Sequence, residues 1–279
     1  MRYYKINGCG NDFIIINNIE EHIPADQVPH LAKTLCTRRM SIGADGLMVV
    51  EKSDVADFKM IYYNCDGSVG EMCGNGARCI CRYAFAVGLS GPRQTVETDS
   101  GVITGERLTE RQYKIEMTKP THINTSCEVS ADGKKIPCSY IELGAPPLPH
   151  AVVHMPDVAT VDEKWLFALG KEIRESPAFP NGANVNFYDK TGPDAVYIRT
   201  FERGVEDFTF ACGSGTVSTA LALYLNGELP SGKLIADMRG GRLEVDVEQT
   251  GEEFSLYLTG PTNIVACGEV LDEELTQIK

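Results

Sequence analysis

Cys73-Gly74-Asn75-Gly76 opens a run that stays small or apolar at Ala77, Ile80, Cys81, Ala84, Phe85 and Val87; Cys212-Gly213-Ser214-Gly215 opens a second through Val217, Ala220, Leu221, Ala222, Leu223 and Leu225. The second run begins 139 positions after the first, close to half of the 279-residue chain. Gly88 and Gly227 keep that offset and stand where a helix ends on a left-handed glycine. A helix that is apolar on most of its faces has to be enclosed by protein, so each run is expected to be the central helix of its own domain. Ser100-Gly101-Val102-Ile103 is loosely echoed by Gly240-Gly241-Arg242-Leu243, which extends the repeat.

Around these runs lie short β-like segments at 13–16, 59–63, 114–117, 195–200, 243–247 and 254–258, punctuated by Gly, Asp, Asn and Pro. Helical periodicity is clearest at 28–37, 75–87, 163–173 and 215–225. The pattern predicts an α+β protein of two homologous, pseudo-symmetric domains, each a β-barrel-like sheet around a central helix. The N-terminal domain, 1–119, carries Cys73, and the C-terminal domain, 120–261, carries Cys212. A composition change at Lys119-Pro120-Thr121 sets the boundary, and the last strand, around 264–270, is expected to return so that 262–279 completes the first domain.

Composition narrows the function classes. With 26 Lys and Arg against 39 Asp and Glu, the net charge of −13 disfavours a general nucleic-acid binder, which needs a basic surface. An anionic substrate has to be met by local donors. Residues 1–12 show no charged segment followed by an apolar one, and the longest apolar run, 220–225, is far short of the ~20 residues of a membrane helix. The expectation is a cytoplasmic protein with no membrane partner. The ten cysteines include no C-x-x-C pair, Cys79 and Cys81 are one residue apart, and His150 and His154 have only Cys138 upstream, so no metal site is read from them.

A C-G-x-G at a helix N-terminus has a defined chemistry. Glycines let backbone N–H groups approach a ligand, and the first-turn donors lack intrahelical partners, so an anion is welcome there. The same positive end favours thiolate over thiol, which is expected to draw the cysteine pKa down from ~8.5. Two such motifs in facing domains would hold one amino-acid carboxylate with a sulfur on each side of its α-carbon. That arrangement suits racemisation with neither pyridoxal phosphate nor metal: one thiolate takes the α-proton and the opposite thiol returns one. Facing thiols are also expected to join on oxidation. The other eight cysteines are expected to be small apolar residues.

Several motifs extend this reading over nearly the whole chain. Gly8-Cys9-Gly10-Asn11-Asp12-Phe13, Ile42-Gly43-Ala44-Asp45-Gly46-Leu47, Asn64-Cys65-Asp66-Gly67-Ser68, Glu71-Met72-Cys73-Gly74-Asn75-Gly76-Ala77-Arg78-Cys79, Glu202-Arg203-Gly204 and Ala211-Cys212-Gly213-Ser214-Gly215 stand in order. Together they resemble the signatures of the diaminopimelate epimerase family, one of the cofactor-independent two-cysteine racemases. The resemblance implies Cys73 and Cys212 as base and acid, with no cofactor. It implies Gly74, Asn75 and Gly76, with Gly213, Ser214 and Gly215, as the cradle of the reacting carboxylate. Asn11, Asn64, Asn184, Glu202 and Arg203 match substrate-binding positions, where Arg203 can pair with a distal carboxylate and Glu202 can accept from an ammonium. Turn chemistry is the competing reading for Asn11 and Asn64. A homodimer and a small-molecule amino-acid substrate are further implications.

One loop departs from the family pattern. Gly144-Ala145-Pro146-Pro147-Leu148-Pro149-His150 keeps a Pro-His but lacks the Asn of the family's G-N-P-H, with His150 left as a supporting residue. Cys9, in place of an apolar residue, reads as a packing swap. The leading expectation is conversion of LL-diaminopimelate to the meso form, in lysine and peptidoglycan synthesis. The departure keeps open a racemase of the same mechanism for another amino acid such as histidine. A non-catalytic thiol redox or metal-binding module is the alternative from another class. A dinucleotide site is excluded, because neither glycine cluster completes G-x-G-x-x-G.

Overall fold

The computed structural model describes residues 1–70 and 73–271. Glu71 and Met72 of the quoted signature, and 272–279 of the segment expected to complete the first domain, lie outside the described residues. The chain divides into two units, Met1–Ile115 with the chain from Gly260, and Glu116–Thr259.

In chain order the first unit holds β1 (Arg2–Gly8), β2 (Asn11–Asn17), α1 (Asn18–Glu21), α2 (Val28–Cys36), β3 (Gly46–Glu51), β4 (Phe58–Asn64), α3 (Gly74–Ala86), β5 (Arg93–Thr98), β6 (Gly101–Arg107) and most of β7 (Gln112–Glu116). The second holds β8 (Pro120–Ala131), β9 (Lys134–Leu143), β10 (Leu148–His154), α4 (Glu163–Arg174), β11 (Asn184–Gly192), β12 (Ala195–Glu202), β13 (Asp207–Phe208), α5 (Gly213–Leu225), β14 (Lys233–Met238), β15 (Gly241–Thr250) and most of β16 (Glu253–Pro261). Last comes β17 (Asn263–Glu269), antiparallel to β1 in the first unit.

The repeat read from two helices extends to strand pairing. From β1 to β6, successive pairs run antiparallel, parallel, antiparallel, parallel and antiparallel. From β9 through β10, β11, β12 and β14 to β15 the order is the same. Before each series stands one more antiparallel strand, β17 beside β1 and β8 beside β9, so the end of the chain supplies to one unit what sequence order supplies to the other.

A parallel pair needs a long crossover, usually a helix. α3 is the crossover between β4 and β5, and α5 is the crossover between β12 and β14. α3 packs on β1, β2 and β6, which come from both ends of its series, so the sheet wraps the helix. α5 likewise packs on β9, β10, β11 and β15. Both helices are buried along most of their length, consistent with their apolar composition. Both end alike: Gly88 and Gly227 take φ of +74° and +73°, and the next residue's N–H returns to a carbonyl five back, Leu89 to Ala84 and Glu228 to Leu223. Among the described residues, one apolar core packs α2 on β2 and β3 and another packs α4 on β11 and β12.

Candidate active site

In the first unit Cys73 is the N-cap of α3, with φ −108° and ψ 117°. Its Sγ lies 3.4 Å from Asn11 Oδ1, where the thiol donates. Asn11 in turn donates through Nδ2 to Asp45 Oδ2 at 2.6 Å. Asp45 is held by Arg38 at 2.9 Å, and Arg38 and Lys5 both pair with Asp12. Burial opposes ionisation of Asp12, but hydrogen bonds from Arg38 and Lys5 outweigh it and hold the carboxyl below its ordinary range. Asn11 is therefore more than a turn residue; its amide is fixed by an ion network reaching β1 and the segment after α2.

Beneath Cys73 sits Arg78, completely buried. Its guanidinium donates to Asn75 Oδ1 at 2.7 Å and to the Gly74 carbonyl at 3.2 Å, which fixes the amide expected to meet a carboxylate. Burial pulls the Arg78 pKa down, and the sulfurs of Cys9, Cys79 and Cys73 offset this. Cys9 is thus not a simple packing swap. It takes a left-handed φ of 56°, rare for a residue with a side chain, and hydrogen-bonds Arg78. Gly8, beside it, is closely packed: a Cβ there would stand 3.2 Å from Cys79 Sγ, which would have to give by a few tenths of an ångström. Asn64 donates to Ser68 Oγ at 3.0 Å inside its own turn, so here the turn reading describes what the side chain does. Tyr62, which sequence reasoning passed over, packs edge-on against Phe13 and fills the space a Cβ would need at Gly46 and Gly70.

In the second unit Cys212 repeats the geometry at the N-cap of α5, with φ −116° and ψ 110°. Its Sγ accepts from Gly215 N at 3.4 Å and lies 3.5 Å from Ser214 Oγ. The expected drop in its pKa is not found. Burial pushes the thiol well up, and the Glu202 carboxylate, to which it hydrogen-bonds, pushes it further. The helix end is present, but desolvation and a neighbouring anion outweigh it. Glu202 therefore meets Cys212. It sits at the end of β12, before a turn in which Glu206 N returns to the Glu202 carbonyl.

Asn184 opens β11 and accepts from Arg203 N at 2.8 Å, which fixes the Arg203 backbone. The Arg203 guanidinium donates to the Asn181 carbonyl at 2.9 Å. His150 lies in β10 opposite Asn184 and is fully buried. Burial, with help from Arg203, pushes its pKa down to about 3, so the ring is neutral.

The residue that joins these groups is Asn186, unmarked at the level of sequence. It is fully buried and donates through Nδ2 to Ala151 O at 3.1 Å and to His150 Nδ1 at 3.3 Å, while Oδ1 accepts from Thr200 Oγ1 at 3.0 Å. A Cβ on Gly215 would collide with Asn186 Oδ1, so the fourth position of the second C-G-x-G has to be glycine. Gly76 answers in the first unit, where a Cβ would collide with Met48. The signal for Asn186 in the sequence was a single amide within the strand run Val185-Asn186-Phe187.

Each unit thus presents a cysteine at the start of a buried crossover helix, with two glycines and a polar side chain in the first turn. Solved structures share this fold. A PhzF-family phenazine biosynthesis protein from Bacillus anthracis aligns with a TM-score of 0.73 at 15% identity, over 97% of this chain and 99% of that one. A hydroxyproline epimerase from Agrobacterium vitis aligns with a TM-score of 0.71 at 16% identity, over 99% and 94%. The fold class is therefore a two-unit α+β fold that these structures share.

Within that class the sequence is more specific. The model of the diaminopimelate epimerase family matches residues 3–123 and 146–265. Diaminopimelate epimerases from Chlorobaculum tepidum and Methanothrix thermoacetophila are each 36% identical, covering 95% and 100% of this chain and 99% of each relative. One from Aquifex aeolicus is 34% identical, over 99% of both chains. The chain belongs to the diaminopimelate epimerase family. These relatives do not favour a racemase for histidine or a redox or metal module.

Proposed function

We propose that this protein is an isomerase that converts LL-diaminopimelate to the meso form, with Cys73 and Cys212 as a pair of acid and base and no cofactor. Family membership supports the reaction. The observation that carries the residue assignment is the doubled cysteine N-cap, with φ and ψ agreeing within 10° between Cys73 and Cys212.

A thiolate at one cysteine takes the α-proton, breaking the Cα–H bond, and the electron pair delocalises into the carboxylate. The first-turn backbone at Gly74 to Gly76 and at Gly213 to Gly215, at the positive ends of α3 and α5, stabilises that charge together with the side chains of Asn75 and Ser214. The thiol of the other cysteine then delivers its proton to the other face. Cys212 is a thiol at neutral pH, since burial and Glu202 hold its proton on, and so starts as the acid in the substrate-free enzyme. When Cys212 serves as base, the Glu202 carboxylate that accepts its S–H is the group that receives the thiol proton. Asn11, Asn64, Asn184, Glu202 and Arg203 are assigned to the substrate, with Arg203 pairing to the distal carboxylate. His150, neutral and buried, supports the floor through Asn186.

No helix among the described residues is long and apolar enough to cross a membrane. The proposal includes a cytoplasmic enzyme and a homodimer, the latter checked by light scattering, with no nucleic-acid partner. The test of the reaction is NMR of α-proton exchange in deuterated water, with no cofactor added, for LL- and meso-diaminopimelate, histidine, glutamate and lysine. Exchange with inversion on diaminopimelate is expected. Exchange on a different amino acid alone would refute the substrate, and exchange on none would refute the reaction.

A further inference from the structure

Among the cysteines that the reaction leaves unused, two stand directly opposite each other on neighbouring strands. Cys127 of β8 pairs in register with Cys138 of β9, and their sulfurs lie 3.0 Å apart. Directly opposed residues of an antiparallel pair have Cα atoms about 4.5–5.5 Å apart. A disulfide needs about 4.4–6.8 Å, so the hairpin can hold either form without moving its strands. The pair lies between the two segments matched by the family model, 3–123 and 146–265, and belongs to the second unit alone.

We propose that Cys127 and Cys138 form a second, non-catalytic thiol site, which low-molecular-weight disulfides of the glutathione type oxidise to a cross-strand disulfide. The two thiols are unequal in the way that such a reaction needs. Cys127 is half-buried, whereas Cys138 is only 6% exposed and packs into the core around Val129 and Ala151. The hydrogen bond from Cys138 holds the Cys127 thiol below its ordinary range against the cost of burial, while that bond and burial push Cys138 up. Cys127 is then the attacking sulfur and Cys138 the resolving one.

The steps balance. Cys127 as thiolate attacks one sulfur of the incoming disulfide, the S–S bond breaks, and one glutathione leaves as thiolate and takes up the proton Cys127 gave up. Cys138 loses its proton and attacks the Cys127 sulfur of the mixed disulfide, and the second glutathione leaves as thiol. Two cysteine thiols and one glutathione disulfide become one protein disulfide and two glutathiones.

The chain offers controls of its own. Cys65 and Cys267 are exposed, so the same reagent should leave them as glutathione adducts. Lys134 and Lys135 lie between the paired cysteines, so trypsin separates the two peptides and a link between them is visible by mass. The experiment treats the native full-length protein with oxidised glutathione, quenches with acid, alkylates and maps peptides without reduction. The expected result is loss of alkylation at Cys127 and Cys138 together, a linked peptide pair, and its reversal by dithiothreitol. The Cys127→Ser variant, expected to keep wild-type turnover, should leave Cys138 fully alkylated after the same treatment. A stable glutathione adduct on Cys127 with Cys138 still alkylated would overturn the proposal, as would full alkylation of both cysteines after oxidation.

Discussion

Replacing Asn186 by Leu keeps the volume of the side chain and removes its polarity. Asn186 is fully buried between β10, β12 and α5, so water cannot replace what the amide supplies. Beside a longer contact to the Asn184 carbonyl at 3.5 Å, three groups lose a partner at 3.3 Å or closer: His150 Nδ1, the Ala151 carbonyl and Thr200 Oγ1. Leaving a buried polar group unsatisfied costs about 1–3 kcal/mol, so the loss is about 3–9 kcal/mol if none of the three finds another partner. For a unit of this size, 1 kcal/mol moves the midpoint by about 2–4 °C, so the unfolding midpoint of the second unit should fall by about 6 °C or more. Differential scanning calorimetry reads this, with Thr200→Val and the double variant completing a cycle. Because Thr200 and Asn186 share one hydrogen bond, the double variant should be less destabilised than the sum of the singles. A leucine variant melting within 2 °C of the wild type, or strict additivity, would refute the assignment of Asn186 as the joint of this network.

Other expectations follow from the same contacts. His150 has a native pKa of about 3 against an ordinary 6.5, so the unfolded chain binds a proton that the native one does not as pH falls below about 6.5. Its contribution is full above that pH and is lost at up to about 1.4 kcal/mol per pH unit until about pH 3; a His150→Gln variant should show a correspondingly flatter fall in urea titrations, and an unchanged slope would contradict the buried neutral ring. Glu202→Gln removes the anion beside Cys212, so the pH midpoint for Cys212 alkylation by iodoacetamide should move to lower pH; a move upward would remove Glu202 as a cause of the raised thiol. Arg78→Met deletes the donors to Asn75 and Gly74 but also the burial of a cation, so stability should change by no more than about 2 kcal/mol. kcat/KM should nonetheless fall at least tenfold, and wild-type turnover would show that the Asn75 amide needs no such anchor.

The parts of the molecule legible in the sequence were those written twice. Cysteine, glycine and left-handed glycine recur at one offset, and apolar residues all around two helices require enclosure, so the two central helices follow from local chemistry. Strand runs such as 195–200 and 254–258 fall within β12 and β16 because alternation and turn residues bound them. What stayed hidden depends on distant partners. Asn186 looks like one amide in a strand until register sets it opposite Thr200 and Gly215 leaves room for its oxygen. Arg78 is one of two arginines on α3, with Arg82, and only the fold shows that Asn75 and Cys9 receive it. The raised Cys212 thiol illustrates the limit most clearly: the helix terminus is readable at 212–215, but burial and Glu202 enter only through packing.

The most direct test of the paired-thiol account is the position of solvent label during the first few per cent of turnover, with LL-diaminopimelate and wild-type enzyme in deuterated water. If one thiol removes the α-proton and another delivers a solvent-derived one, the meso product carries deuterium at the inverted carbon while remaining substrate stays protonated. Product that retains the substrate's own proton, or deuterium gained equally by unreacted substrate, would mean that a single base serves both faces and would contradict the assignment of Cys73 and Cys212.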